Sequence, residues 1–119
     1  MKTPTKSEHD EQAALFRWAE LNRKKHPELE LMFAIPNGGH RHISVARRLK
    51  AEGVRAGVPD IFLPVNYQYH GLFIEMKAGR NTSTPAQIWW HEHLRAAGYC
   101  VEVCYGWEAA AKLIEQYLG

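Results

Sequence analysis

The chain has 119 residues, of which 45% are hydrophobic, so it suits one compact domain with a buried core and leaves no room for a second. The formal net charge is only +2, and no stretch approaches the roughly 18 apolar residues that a membrane span requires. Two cysteines are too few for a disulfide scaffold, and the first residues lack the apolar core of a signal peptide. We therefore expect a single domain over residues 1–119, located in the cytoplasm.

The first predicted elements are a helix and a strand. Ser7 is a favourable N-cap with Asp10 at the N3 position, and the helix must end before Pro27. Its apolar positions recur at helical spacing and are Ala14, Leu15, Trp18 and Leu21. Residues 29–35 then predict a strand, which the loop-forming residues 36–39 end.

A short basic helix is predicted next, over residues 44–52, with Gly53 as its C-terminal stop. Its inward side is expected to consist of Val45, Ala46 and Leu49. The segment around it contains one acid, Glu52, against the basic residues Arg41, Arg47, Arg48, Lys50 and Arg55. This concentration of positive charge indicates a surface for polyanions, although a solvated helix face would have the same composition.

Two apolar runs, over residues 58–65 and 72–77, predict the adjacent strands of a hairpin. The first run contains Asp60, and the second contains Glu75 and Lys77. Because a strand alternates its faces, Glu75 and Lys77 project from the same side. A turn centred between residues 67 and 68 would place Asp60 opposite Glu75, and a turn centred one residue later would place it opposite Lys77.

Either register brings two carboxylates and an ammonium group to one patch, where cross-strand neighbours are about 5 Å apart. Two carboxylates about 4 Å apart repel by roughly 4 kcal/mol at an effective dielectric near 20, so a proton or a cation is needed between them. Carboxylate ligands suit Mg²⁺, and this ion assists phosphodiester hydrolysis. Lys77 would then orient or deprotonate the attacking water, or neutralise the charge of the phosphate. An ordinary hairpin with a surface ion pair would show the same short pattern.

The last third of the chain predicts a helix, a strand and a helix. Thr84 as N-cap, Pro85 at N1 and Gln87 at N3 mark a helix that continues to about Ala97. A strand over residues 99–105 and an amphipathic helix over residues 107–118 follow. The order is α-β-α-β-β-α-β-α, which predicts an α/β (α+β) fold with a mixed central sheet flanked by helices.

Two further groups of residues have side chains that are common in binding sites. His91 and His93 diverge by about 200° on a helix, so one zinc ion cannot readily bind both, and the two cysteines are expected to be buried thiols. Trp89 and Trp90 could stack on unpaired bases, but aromatic residues on an amphipathic helix more often belong to a core or a dimer interface.

Six segments of the chain together resemble the virus-type replication–repair nuclease (VRR-NUC) domain, a branch of the PD-(D/E)xK nuclease superfamily with a restriction-endonuclease-like core. In chain order they are Asn37-Gly38-Gly39-His40-Arg41, Ala46-x-x-Leu49-Lys50-x-x-Gly53, Gly57-Val58-Pro59-Asp60, Leu72-Phe73-Ile74-Glu75-Met76-Lys77, Thr84-Pro85-Ala86-Gln87 and His91-x-x-Leu94-x-x-x-Gly98-Tyr99. One such segment would be weak evidence, whereas six in order at the right spacing are specific.

The resemblance implies a phosphodiesterase that acts on DNA and depends on Mg²⁺ or Mn²⁺. Asp60, Glu75 and the backbone carbonyl of Met76 would be metal ligands, and Lys77 the catalytic lysine. The family also uses a glutamate from the first helix. Glu11 is the favoured candidate, because it lies one turn before the core residue Leu15, and Glu8 is the rival.

Gln87 matches the glutamine that similar domains place near the site, and it also fits the capping role. The expected DNA contacts are Asn37, His40, Arg41, Arg47, Arg48 and Lys50. Small members of the family are similar to Holliday-junction resolvases. We therefore expect a homodimer that cuts four-way junctions. If the gene is carried by a phage, the protein is expected in the cytoplasm of the bacterial host. The alternatives are a flap or restriction-like nuclease and an inactive DNA-binding module.

Overall fold

The computed structural model describes residues 7–36 and 42–119. The predicted order of helices and strands is confirmed, with one short 3₁₀ helix added after the first helix. The elements are α1 (Glu8–Leu21), the 3₁₀ helix (Pro27–Leu31), β1 (Phe33–Ala34), α2 (Ile43–Ala51), β2 (Ile61–Leu63), β3 (Leu72–Lys77), α3 (Pro85–Ala96), β4 (Cys100–Tyr105) and α4 (Trp107–Leu118).

The strands form one mixed sheet in the order β1-β2-β3-β4. The β1–β2 and β2–β3 pairs are antiparallel, whereas β3 and β4 are parallel. A parallel pair needs a crossover connection, and α3 supplies it by crossing one face of the sheet between β3 and β4. The α/β class with a mixed sheet flanked by helices is therefore confirmed.

The hairpin has the first of the two registers that the sequence allowed. Ile61 pairs with Ile74 and Leu63 with Leu72, so the next pair along the strands is Asp60 opposite Glu75. The strand β2 is shorter than the predicted run of residues 58–65. The prolines at both ends of that run explain the difference, because a proline has no N–H for the ladder.

Two local predictions are wrong. Residues 29–31 belong to the 3₁₀ helix instead of a strand, because Pro27 suits the first turn of a helix and Leu29 is buried against the core by that turn. The sequence also predicted an inward side for α2, but Ala46 is exposed and α2 has no buried residue.

The two faces of β3 have different environments. Leu72, Ile74 and Met76 are fully buried in a core that they share with residues of α1 and α4, including Leu15 and Ile114. The alternate residues of β3 point to the face that α3 covers. That face is therefore where the charged residues of the strand must find partners. No helix in the described part of the chain is long and apolar enough to cross a membrane.

Candidate active site

Asp60 is held at the junction of three strands. Its backbone carbonyl accepts a hydrogen bond from the Ile35 N–H at 2.7 Å, which extends the β1–β2 pairing. Its carboxylate Oδ2 accepts a hydrogen bond from the Met76 N–H, also at 2.7 Å. The side chain of Met76 points into the core, so only its backbone belongs to this site. Asp60 thus faces β3 with its carboxylate already oriented.

Glu75 is completely buried beside Asp60. Burial, a hydrogen bond with the Asp60 carboxylate and the negative charge of Asp60 raise the pKa of Glu75 to about 9, and the charge of Lys77 opposes this shift. Two carboxyl groups at hydrogen-bond distance cannot both be ionised at low cost unless a cation lies between them. Without a cation, Glu75 therefore keeps its proton at neutral pH.

Lys77 lies on the same face of β3 and is also buried. Its Nζ donates a hydrogen bond of 2.8 Å to Oε1 of Gln87. The amide Nε2 of Gln87 in turn donates to Oε2 of Glu75 at 3.3 Å. Gln87 thus links the ammonium group to the carboxyl group, and the structure brings Asp60, Glu75, Lys77 and Gln87 together.

Gln87 also forms the predicted cap of α3. Its Oε1 accepts from the Thr84 N–H at 2.9 Å, and the Thr84 hydroxyl accepts from the Gln87 N–H at 3.2 Å. The capping box and the contact with the site are therefore compatible. The same hydrogen bonds that start the helix also fix the position of the Gln87 amide against β3.

The two acids of the first helix have different partners. Oε2 of Glu11 accepts a hydrogen bond of 2.7 Å from the Trp107 N–H, so this carboxylate caps the N-terminus of α4, where a negative charge is favourable. Glu8 is half-buried, accepts from the Asn81 side chain at 3.0 Å, and its charge contributes to the raised pKa of Glu75. Glu11, the favoured candidate, thus has a structural contact, and Glu8 is the acid of α1 whose charge acts on Glu75.

A cavity of about 660 Å³ opens beside Asp60 between α1 and β1. The residues that line it are Glu8, His9, Gln12, Ala13, Phe16, Ala34 and Asp60. Glu8 and Asp60 provide its carboxylates, and its remaining wall is largely apolar. A substrate group that enters this cavity would reach Asp60 from the solvent side.

The sequence argues against His91 as a zinc ligand and does not predict its contact with the site. Its Nε2 lies 3.4 Å from Oε1 of Glu75. Burial and the nearby charges of Arg95 and Lys77 lower the pKa of His91, so the imidazole is neutral at neutral pH. The available signal was its spacing, because His91 lies one turn after Gln87 and therefore on the same face of the helix.

The donor set suits a hard divalent cation. Among residues 7–36 and 42–119, no group of three or more His, Cys, Asp or Glu side chains clusters closely enough to enclose a metal ion. Mg²⁺ needs no such cage, because one or two carboxylates commonly bind it while it keeps several waters. Asp60 and Glu75 provide such a pair, and a cation would replace the proton that Glu75 otherwise retains.

The basic residues predicted to contact DNA are only partly within the described structure. Asn37, His40 and Arg41 lie outside the described residues. Arg47, Arg48 and Lys50 are exposed on α2. Near the end of that helix, the Arg55 guanidinium lies 5.4 Å from the centroid of the Trp90 ring, and the Trp90 indole N–H donates to the Ala56 carbonyl at 3.1 Å. Both contacts hold the segment after α2 against α3.

Comparison with known proteins agrees with the fold. The model of the VRR-NUC domain family matches residues 5–108. A solved structure described as a "VRR_NUC domain protein" is similar over 97% of this chain and 90% of that chain, with a TM-score of 0.82 and 30% sequence identity. No curated protein sequence matches the chain. The family model and the similar structure each cover most of the chain, and the chain therefore belongs to the VRR-NUC domain family, a family of nucleases.

Proposed function

We propose that this protein is a metal-dependent endodeoxyribonuclease that cleaves branched DNA, above all four-way junctions, as a homodimer. The observation that carries the proposal is the contact between the carboxyl groups of Asp60 and Glu75, with the Lys77 ammonium linked to it through Gln87. A buried carboxyl group beside a second carboxylate is costly to keep in a protein. Such a pair therefore points to a site that binds a cation.

In this proposal the metal ligands are Asp60, Glu75 and the backbone carbonyl of Met76, with Glu8 as the acid from α1 in place of Glu11. Support for Glu8 comes from its position on the cavity beside Asp60 and from its effect on the pKa of Glu75. A bound Mg²⁺ or Mn²⁺ would lower the pKa of a coordinated water and stabilise the charge that develops on the phosphodiester.

Lys77 and Gln87 position the reacting groups. The ammonium group of Lys77 neutralises negative charge on the phosphate in the transition state or orients the attacking water. Gln87 holds that ammonium group in place by accepting its hydrogen bond at 2.8 Å. A lysine stem has many rotamers, so this restraint reduces the entropy that the reaction would otherwise lose.

Phosphate contacts by the exposed α2 residues Arg47, Arg48 and Lys50 would hold the DNA without reading its sequence, together with Asn37, His40 and Arg41. Helix α2 has no buried residue, and Ile43 at its start is 63% exposed. An exposed helix of this composition is available to a large polyanion.

The homodimer follows from the proposed substrate. Resolution of a four-way junction requires two cuts, and one copy of this domain supplies one site, so two-fold symmetry is the simplest arrangement. Exposed apolar side chains are available for an interface, among them Phe33 at the edge strand and Trp89 on α3, which are 49% and 47% exposed.

The decisive experiment compares labelled four-way junctions, flaps and linear duplexes under the same conditions, with Mg²⁺ and with excess EDTA. We expect the junction to be cleaved fastest and EDTA to abolish cleavage. The variant Lys77→Met keeps the apolar stem and loses the charge, so it should cleave about 100- to 1000-fold more slowly.

Lys112→Met is the matched control, because Lys112 is exposed on α4, on the opposite face of the sheet from α3. It should cleave at the parent rate. Equal cleavage rates on junctions, flaps and duplexes would refute the preference for junctions but not the nuclease activity. Cleavage that persists in EDTA would exclude a metal-dependent mechanism. If no substrate is cleaved, the alternative of an inactive DNA-binding module would be favoured.

A further inference from the structure

His91 contacts Glu75 from the helix that also carries Gln87. Only 4% of the residue is exposed, and its Nε2 lies 3.4 Å from Oε1 of Glu75. This distance is longer than an ordinary N–H···O hydrogen bond, as is common for site contacts before substrate binds. The contact is made to the carboxyl group at the centre of the site, whereas a histidine needed only for packing could be satisfied by any backbone carbonyl.

The two oxygens of Glu75 have separate partners on α3. Gln87 donates to Oε2 at 3.3 Å, and His91 lies against Oε1. Because the residues are four apart, they project from one face of the helix as a pair. The capping box formed by Thr84 and Gln87 fixes the residue at which α3 begins. Because the start of the helix is fixed, His91, one turn after Gln87, lies against Glu75. The helix therefore limits rotation of the Glu75 carboxyl group from both sides.

From this geometry we infer that His91 is a positioning residue, whose Nε2–H donates to Glu75 and holds its carboxylate in the orientation that binds the divalent metal. The inference rests on the proposed function, since it takes Glu75 as a metal ligand. An ionised Glu75 carboxylate can only accept hydrogen bonds, so Nε2 of His91 must be the donor. The neutral imidazole therefore carries its proton on Nε2. Groups that orient a ligand in this way typically contribute a factor of about 10 to 100 to metal affinity.

The test measures Mn²⁺ binding by calorimetry in the absence of DNA, so that its readout does not depend on cleavage. His91→Gln keeps a donor nitrogen at the same number of bonds from Cβ, whereas His91→Leu keeps an apolar volume and has no donor. We expect His91→Leu to bind Mn²⁺ about 10- to 100-fold more weakly than the parent, and His91→Gln to recover most of that loss. Half-maximal cleavage by His91→Leu should also need more metal, with a smaller change in the rate at saturating metal.

Thermal unfolding in EDTA provides the control for folding. If His91→Leu does not unfold cooperatively, His91→Asn replaces it, because its donor is one methylene too short and should bind Mn²⁺ more weakly than His91→Gln. Equal Mn²⁺ affinity of the parent and His91→Leu would overturn the inference and leave the nuclease intact. Equal weakening by Gln and Leu would also overturn it. A parent protein that neither binds Mn²⁺ nor cleaves DNA would instead refute the proposed function, and the inference with it.

Discussion

The protonation of Glu75 beside Asp60 is the main electrostatic property of the site. Burial alone disfavours the charge on Glu75, and the adjacent Asp60 disfavours it further. Binding of a divalent cation reverses both effects, because it compensates the charge of the pair. Metal binding should therefore release a proton and become stronger as the pH rises.

The stability of the metal-free protein should depend on the ionisation of Glu75. The pKa of this group is about 9 in the folded protein against 4.5 for an unperturbed glutamate. Between these values the folded state binds the additional proton, so the free energy of unfolding decreases as the pH rises, by up to about 1.4 kcal/mol per pH unit. Urea unfolding in EDTA at several pH values between about 5 and 9 measures this slope.

Glu75→Gln removes the titration and should flatten this dependence, whereas Glu102→Gln, at an exposed position on β4, should leave it unchanged. Added Mg²⁺ should stabilise the parent more at high pH than at low pH. An identical pH slope in the parent and in Glu75→Gln would show that the carboxyl pair is not protonated as we infer.

Glu8 and Glu11 should respond to substitution in opposite ways. Glu11→Ala removes the cap of α4 and should lower the free energy of unfolding by about 1–2 kcal/mol, with cleavage near the parent rate. Glu8→Ala should weaken Mn²⁺ binding and slow cleavage, with a change in stability below about 0.5 kcal/mol. Calorimetric metal titration and urea unfolding of both variants separate these effects, and the reverse pattern would assign the site role to Glu11.

At the scale of the elements, α3 both crosses the sheet and forms one wall of the site. Its start is packed closely against the segment that leads into β2. A Cβ atom on Gly57 would lie 2.8 Å from the backbone carbonyl carbon of Ala86, and Gly57 also has a φ of +92°, which an L side chain rarely adopts. This close approach brings the chain that carries Asp60 next to the helix that carries Gln87.

Helix α2 is the element that we expect to govern the salt dependence of DNA binding. Removing its three charges in the variant Arg47→Ala/Arg48→Ala/Lys50→Ala should weaken binding for all sequences and reduce the slope of log K against log salt by up to about 3. Fluorescence anisotropy with Ca²⁺ in place of Mg²⁺, over a series of salt concentrations, measures this slope.

A matched control removes three exposed charges elsewhere, at Arg23, Lys24 and Lys112. Residues 23 and 24 follow the C-terminal end of α1, about 20 Å along the helix from Glu8. If the control changed the slope as much as the α2 variant does, the effect would come from net charge and α2 would not be a specific contact surface.

At the scale of the whole molecule, one mixed sheet brings the site together from distant parts of the chain. The antiparallel β2–β3 pair aligns Asp60 with Glu75, and the parallel β3–β4 pair requires the crossover that lays α3 over them. Helices α1 and α4 fill the opposite face with apolar residues. The charged side chains of β3, Glu75 and Lys77, therefore lie on one face of the sheet, and the apolar core lies on the other.

The proposed homodimer predicts a solution mass twice the 13.7 kDa of one chain. Sedimentation at micromolar concentration measures it directly. Mixed dimers of the parent and Lys77→Met should nick one strand of a junction, because only one of their two sites is active. A monomer that nevertheless makes paired cuts in a junction would contradict the homodimer.

Much of the local structure was predictable from the sequence, because the signals are short-range. The capping boxes at Ser7 and Thr84, the bounds of β3 and α4, and the alternation that puts Glu75 and Lys77 on one face all depend on residues close together in the chain. The order of the predicted elements sufficed for the fold class, and the family was predicted from the resemblance of six sequence segments to the VRR-NUC domain. The strand prediction for residues 29–31 failed because a short apolar run does not distinguish a strand from a helical turn.

The arrangement of the site depended on tertiary contacts between residues far apart in the chain. The sequence left two registers open for Asp60, and only the pairing of the strands selected the one opposite Glu75. Helical spacing made Glu11 and Glu8 similar candidates, and only the packing of α4 gave Glu11 the Trp107 N–H as its partner. The contact of His91 with Glu75 likewise depends on the packing of α3, because helical spacing places His91 on the same face as Gln87 but does not identify the strand residue that it contacts.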